Sequence, residues 1–170
     1  CKKESETPLG IQYSVGCATD LGTLNDATFD VISAVFVYNY LTIDQMRQSM
    51  AQIYQHLAED GKFVFSLPHP VNPFLAGDDS KFHFKRSGGW FSGKDNIFEG
   101  TIAMSDGNTV SVRCMHKIFE DVMISLKDAG FHKFPDLKEL GVTEELIEQD
   151  EEFFGPLRDK PLHIAMRVER

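Results

Sequence analysis

The spacing of apolar and polar positions marks out strands and helices in alternation along this chain. Residues 10–15 set Ile11, Tyr13 and Val15 against Gln12 and Ser14, a period of two that predicts a short strand. A loop rich in Gly, Asn, Asp and Thr follows over residues 16–28. From Phe29 to Val37 the run FDVISAVFV is nearly continuous in apolar and β-branched residues, which predicts a strand buried on both faces of a parallel sheet. The next element is a helix. Thr42 and Gln45 have the spacing of a capping box, and Asp44 lies in the first turn, where the helix dipole favours an anion. Ile43, Met46, Met50, Ile53, Tyr54 and Leu57 share one stripe, and Gly61 stands where a C-terminal cap is expected. Residues 62–67, KFVFSL, read as a second buried strand, so strand, helix and strand form a right-handed crossover unit.

Pro68, Pro70 and Pro73 close that pattern. No clean period runs through 71–94, although Phe82, Phe84, Trp90 and Phe91 stand out. Residues 98–104 and 109–113 alternate around Asp106-Gly107, a hairpin signal because the tight turn needs positive φ. A helix is expected over 117–129, burying Ile118, Phe119, Val122 and Leu126, with Gly130 as its stop. Residues 131–134 read as a short strand, 137–154 as an acidic helix, and 162–168 as a final alternating strand. There is no internal repeat and no linker, so residues 1–170 read as a single α/β domain.

Charge narrows the partners. With 17 basic and 26 acidic residues the formal charge is −9, which disfavours a phosphate backbone as partner. Lys81, Lys85 and Arg86 form either a local basic patch or a solvated loop. No apolar stretch approaches the roughly 20 residues of a membrane span, and the start has no signal-peptide pattern. Cys1, Cys17 and Cys114 are odd in number and without CxxC spacing, which fits the cytoplasm or another reducing compartment. The chain begins with Cys1, which is expected if a leader was removed or if a longer polypeptide continues upstream.

Three segments then line up in order. GIQYSVGCATDL (10–21) leads to FDVISAVFVYNYL (29–41); LAEDGKFVFSLPHP spans 57–70; and a helix ends in LKDAGF at 126–131. Together they resemble the class I S-adenosylmethionine-dependent methyltransferases, in particular the small-molecule type 11 and type 25 kind. The resemblance implies a Rossmann-like sheet in which 10–15, 30–35 and 62–67 are the third, fourth and fifth strands, and 131–134 and 162–167 the last ones. It makes 98–113 a hairpin insertion within a substrate-side region over 71–115. It also implies that the glycine-rich turn and first two strands lie outside this chain, so the sheet is incomplete on its N-terminal side.

The resemblance further implies transfer of a methyl group from S-adenosylmethionine to an oxygen or nitrogen of a small molecule. Gly16, Cys17, Ala18 and Asp20, after the third strand, would hold the adenine, with Cys17 standing where the family often has Asp. Val35 and Phe36, ending the fourth, would lie beside the methionine part. A competing expectation is a non-catalytic, methyltransferase-like interaction subunit with a protein partner.

Ligands in open α/β sheets bind beyond the carboxyl ends of the strands. His69, directly after the fifth strand, is placed for a base or a substrate contact, or is a structural loop histidine between two prolines. His116 has a similar claim by analogy with the family. Asn39 and Tyr40 are candidates for the substrate side, although Tyr40 also fits beneath the following helix. Trp90, with Phe82, Phe84 and Phe91, reads as an aromatic lid, a satellite core or a docking surface. His56, His132 and His163 have no partner at metal spacing, and no metal is expected.

Overall fold

The computed structural model describes residues 11–75 and 81–170. Strand β1 (Phe29–Val35) leads to helix α1 (Ile43–His56) and strand β2 (Leu57–Pro68). A short helix α2 (Asn72–Leu75) precedes strands β3 (Phe82–Lys85), β4 (Ile97–Ala103) and β5 (Thr109–Met115). Helix α3 (Phe119–Ala129), strand β6 (Asp136–Leu140), helices α4 (Glu144–Gln149) and α5 (Glu151–Phe154), and strand β7 (His163–Glu169) complete the chain. Two sheets result, one in the order β1-β2-β7-β6 and one in the order β3-β4-β5. In the first, β1 and β2 run parallel, as a crossover through α1 requires, while β7 runs antiparallel to both β2 and β6. The fold is that of an open, Rossmann-like α/β sheet.

Helix α1 starts as its sequence dictates. Thr42 Oγ1 accepts from Gln45 N at 3.2 Å, and Gln45 Oε1 accepts from Thr42 N at 2.9 Å. Its buried stripe of Met46, Met50 and Ile53 meets Val122 and Leu126 of α3 over one face of the sheet. Phe63, Phe65, Ile164, Met166 and Val168 rise from that face, with Phe63 and Phe65 stacked at 4.8 Å. Tyr38 closes the end of this core, edge-on to both rings. Burial in the core pushes its phenol pKa well above the ordinary value.

Several expectations change. Residues 11–16 form no strand; Ile11, Tyr13 and Val15 are exposed, and residue 10 lies outside the described residues. Among the described residues no strand pairs with this stretch, and β1 is the edge of its sheet. Nor is β1 buried on both faces. Ala34 is buried, while Val31 and Val35 are 60 % and 67 % exposed, because α1 and α3 both pack on the other side. Gly61 caps no helix. Helix α1 ends at His56, the extended Leu57 is buried, and a bulge separates the pairs Phe29–Leu57 and Val31–Lys62. A Cβ on Gly61 would lie 2.8 Å from Ala58 O, so glycine allows this tight bend.

The expected strand at 131–134 is absent; the strand begins at Asp136, after Phe131 has packed against Tyr54 and Phe63. The acidic segment expected to be helical over 137–154 starts as part of that strand. Thr143 and Asp150 then cap two short helices in succession. The Asp106-Gly107 hairpin forms over β4 and β5, with Gly107 at φ 82°. Strand β3 adds a third member to that sheet, and Gly100 permits the closeness: a Cβ there would stand 2.2 Å from His83 O.

Candidate functional site

The two sheets enclose a cavity of about 220 Å³. Its floor is Phe36, Leu67 and Pro68, at the carboxyl ends of β1 and β2, with His163 at the start of β7. Its roof is Phe82 and Phe84 of β3, Ile102 of β4, and Val112 to Met115 of β5. Asn39, Tyr40, His69, Pro70, Asn72, Pro73, His116, Lys117 and Val122 complete the wall. The lining is mainly aromatic and aliphatic, with few polar groups, which is the usual make-up of a small-molecule pocket.

The chain turns sharply at the end of β1. Phe36 has φ 52°, a left-handed conformation for a residue with a side chain, and its N–H donates to Ser66 O at 3.1 Å. Such a conformation costs roughly 1–3 kcal/mol and concentrates at sites where geometry matters. It leads into a short 3-10 helix, Tyr38–Tyr40, in which Tyr38 and Asn39 are buried. Asn39 is 9 % exposed, and its Oδ1 is buried without a hydrogen-bond partner among the described residues. Tyr40 is 58 % exposed and touches the cavity from the rim.

The two histidines differ in what their rings are free to do. His69 is 5 % exposed. Its Nδ1 accepts from Val71 N at 3.2 Å, so its proton lies on Nε2, which donates to Glu139 Oε1 at 3.0 Å. Both nitrogens are thereby committed, and the ring ties the exit of β2 to β6. His116 is 3 % exposed and stacked flat on Phe98 at 4.9 Å, with Trp90 and Phe74 edge-on. Its Nε2 lies 2.9 Å from Trp90 O, a carbonyl that can only accept, so Nε2 carries the proton and Nδ1 a lone pair. Burial lowers its pKa, only partly offset by the bond to Trp90 and the charge of Asp121, so at neutral pH the ring is uncharged. His163 is lowered as well, by burial.

Of the residues singled out by sequence, the fold brings Phe36, Asn39, Tyr40, His69 and His116 to one cavity. Trp90 stands behind His116 and is not part of the lining. The aromatic segment divides: Phe82 and Phe84 form the roof, whereas Phe91 is 74 % exposed. Gly16, Cys17, Ala18 and Asp20 lie apart from the cavity in a loop pinned to α1, where Gln48 and Gln52 both donate to Thr19 O. Cys17 Sγ lies 3.1 Å from Thr19 Oγ1, an interaction that lowers its pKa, and Asp20 Oδ1 accepts from Gly22 N. Val35 presents exposed apolar surface next to Phe36. Sequence reading missed Arg113, Cys114 and Lys117 of the cavity wall; the end of an alternating strand gave no sign that they would meet β1 and β2. Among the described residues no group of three or more His, Cys, Asp or Glu stands close enough to hold a metal ion, and no helix is long and apolar enough to cross a membrane.

Comparison with known proteins agrees with this architecture. Residues 1–65 match the model of the methyltransferase domain family. A search of curated protein sequences gave no match. Among solved structures, an S-adenosylmethionine-dependent methyltransferase from Mesorhizobium loti superposes with a TM-score of 0.64 at 17 % identity, over 99 % of this chain and 74 % of that one. A second, from Clostridium acetobutylicum, gives 0.57 at 13 % identity, over 92 % and 63 %. CalS10, an amino pentose methyltransferase from Micromonospora echinaspora solved with S-adenosylmethionine bound, gives 0.52 at 16 % identity, over 91 % and 63 %. The chain thus spans between about three-fifths and three-quarters of the length of these proteins.

Proposed function

We propose, on the premise that this chain has the class I methyltransferase fold, that it transfers a methyl group from S-adenosylmethionine to an oxygen or nitrogen of a small molecule held in the cavity. The observation that carries the reading is Asn39 Oδ1, a buried acceptor beside the carboxyl end of β1 that has no partner among the described residues. An unmet buried acceptor costs about 1–3 kcal/mol, and an O–H or N–H on the methyl acceptor would satisfy it. Oxygen and nitrogen nucleophiles carry such a proton; a bare carbon or thioether does not.

The donor supplies an electrophilic methyl group on a sulfonium. Val35 and Phe36 fit a place beside it, since Val35 is exposed and apolar and Phe36 turns the chain from the strand end into the cavity. Gly16, Cys17, Ala18 and Asp20, in the loop held to α1, would supply backbone groups, a thiol and a carboxylate. Asp20 Oδ1 accepts from Gly22 N, and the carboxylate has further lone pairs to offer beside Cys17 and the backbone. The apolar cavity excludes water and holds the nucleophile in place, which is most of what methyl transfer asks of a protein. His116, uncharged with a lone pair at Nδ1, takes the proton that the acceptor loses on methylation: the second N–H proton of an amine, or the O–H proton of a hydroxyl as it leaves Asn39 Oδ1. His69, with both nitrogens committed, is a positioning residue.

Transfer of labelled methyl from S-adenosylmethionine to a library of small alcohols, phenols and amines tests this reading. Asn39→Leu is expected to lower kcat/KM by about 10- to 100-fold, which corresponds to one lost buried hydrogen bond. An unchanged kcat/KM would remove the basis for the assignment. The pH profile checks His116 separately. Activity should fall as pH drops through an inflection below the ordinary imidazole value of about 6.5, because burial lowers the pKa and only the uncharged ring accepts a proton. In His116→Gln that acid limb should vanish along with most of kcat; a limb that persists unshifted would assign it to another group.

A further inference from the structure

The polar part of the cavity wall carries a charge opposite to that of the molecule as a whole. The chain has a formal charge of −9, yet among the described residues the charged ones lining the cavity are Arg113 and Lys117, with no carboxylate beside them. Lys117 is only 6 % exposed. An ammonium has three donors, and among the described residues the one hydrogen bond of this one runs to Met115 O at 3.2 Å. The two nearby carboxylates are engaged with other groups. Asp121 pairs with Lys94 at 2.5 Å and accepts from Ile118 N, and Asp95 accepts from Ile43 N. They contribute to the field at Lys117 but make no ion pair with it. Burial accordingly holds the Lys117 pKa down to about 8. A buried cation left in that state weakens the fold, whereas an apolar side chain of similar length would not. A bound anion would supply the missing partner.

We propose that the cavity is built for a small apolar acid whose carboxylate pairs with Lys117, with Arg113 at the rim and the hydrocarbon body against Phe36, Phe82 and Phe84. A single buried cation matches a single negative charge; a dianionic phosphate would bring one charge too many into an apolar enclosure. Asn39 then meets a hydroxyl or amine elsewhere on the same molecule. This deepens the reading of the cavity as a methyl-acceptor site and rests on it only for the statement that the bound acid is what is methylated.

The test reads binding alone. Calorimetric titration of the full chain, without any methyl donor, would use three probes of one shape: 2-naphthoate, 2-naphthylmethanol and 2-naphthylmethylammonium. The acid is expected to bind at least tenfold more tightly than the alcohol, and the ammonium compound most weakly. Lys117→Met should erase that preference while keeping affinity for the alcohol, and Lys117→Arg should retain it. Equal affinity for acid and alcohol, a preference that survives Lys117→Met, or no binding by any probe would each overturn the proposal. The comparison of probes on the unaltered chain decides the matter even if a variant fails to fold. A clear acid preference without detectable methyl transfer would leave this site standing and sink the assigned reaction instead.

Discussion

Phe98→Ala is expected to lower the free energy of unfolding by about 3–5 kcal/mol, measured by urea denaturation followed by circular dichroism. Phe98 is fully buried on β4, stacked on His116 at 4.9 Å with the planes only 4° apart, and 5.9 Å from the Phe74 ring. It is the point where the three-stranded sheet is fastened to the loop entering α3. A ring removed here leaves a hole lined by aromatic groups that cannot collapse together, since Trp90 and Phe74 already rest edge-on against His116. The loss should reach function too, because the His116 plane is set by that stack. A decrease under 1 kcal/mol would show that the roof of the cavity adds little to the stability of the chain.

Asp121→Ala should cost a similar amount, about 3–5 kcal/mol in the same measurement. The Asp121 carboxylate is buried in the first turn of α3, where it accepts from Ile118 N at 3.0 Å. Ile118 offers no polar side chain in return, so Asp121 supplies the side-chain half of the cap at that end of the helix. It also pairs with Lys94, whose side chain is two-thirds buried. Truncation leaves Lys94 only its longer contact with Glu120 at 3.9 Å, unmakes the cap, and removes one of the two anions near Lys117. Asp121→Asn keeps an acceptor for Ile118 N and should recover about 1 kcal/mol of the loss. If alanine and asparagine proved equally damaging, the charge of the pair and not the cap would be the dominant contribution.

The sequence made some parts of this molecule plain and concealed others, for identifiable reasons. Helix α1 was legible because its capping box and its stripe of Met46, Met50 and Ile53 are local. The hairpin was legible because Asp106-Gly107 demands a particular turn. Strand β6 was not: all five of its residues are exposed, so it carries no hydrophobic signature and exists only by pairing with β7, for instance through Arg167 and Asp136. At residues 10–15 the opposite happened: the alternation is clear, yet over its described part, from Ile11 on, no strand forms. For the site, the rule that ligands bind at carboxyl ends of strands located Phe36, Asn39 and His69, which follow β1 and β2 directly. It was silent about Lys117 and Arg113, which reach the same space from a separate sheet. The contrast between His69 and His116 likewise needed three dimensions, since it depends on which ring nitrogen Val71, Glu139 and Trp90 occupy.

That the cavity is walled by two sheets has a thermodynamic meaning of its own. A guest lodged there touches β1 and β2 on one side and β3, β4 and β5 on the other. It therefore acts as a fastener between two bodies that the chain joins through loops and a few rings. By mass action, a guest present at about a hundred times its dissociation constant adds about 2.7 kcal/mol to the folded state. If the cavity takes the proposed guest, its supply would help to set how much of the chain is folded, and hence how long it survives proteolysis. Availability of the guest and lifetime of the protein would then be one linked equilibrium.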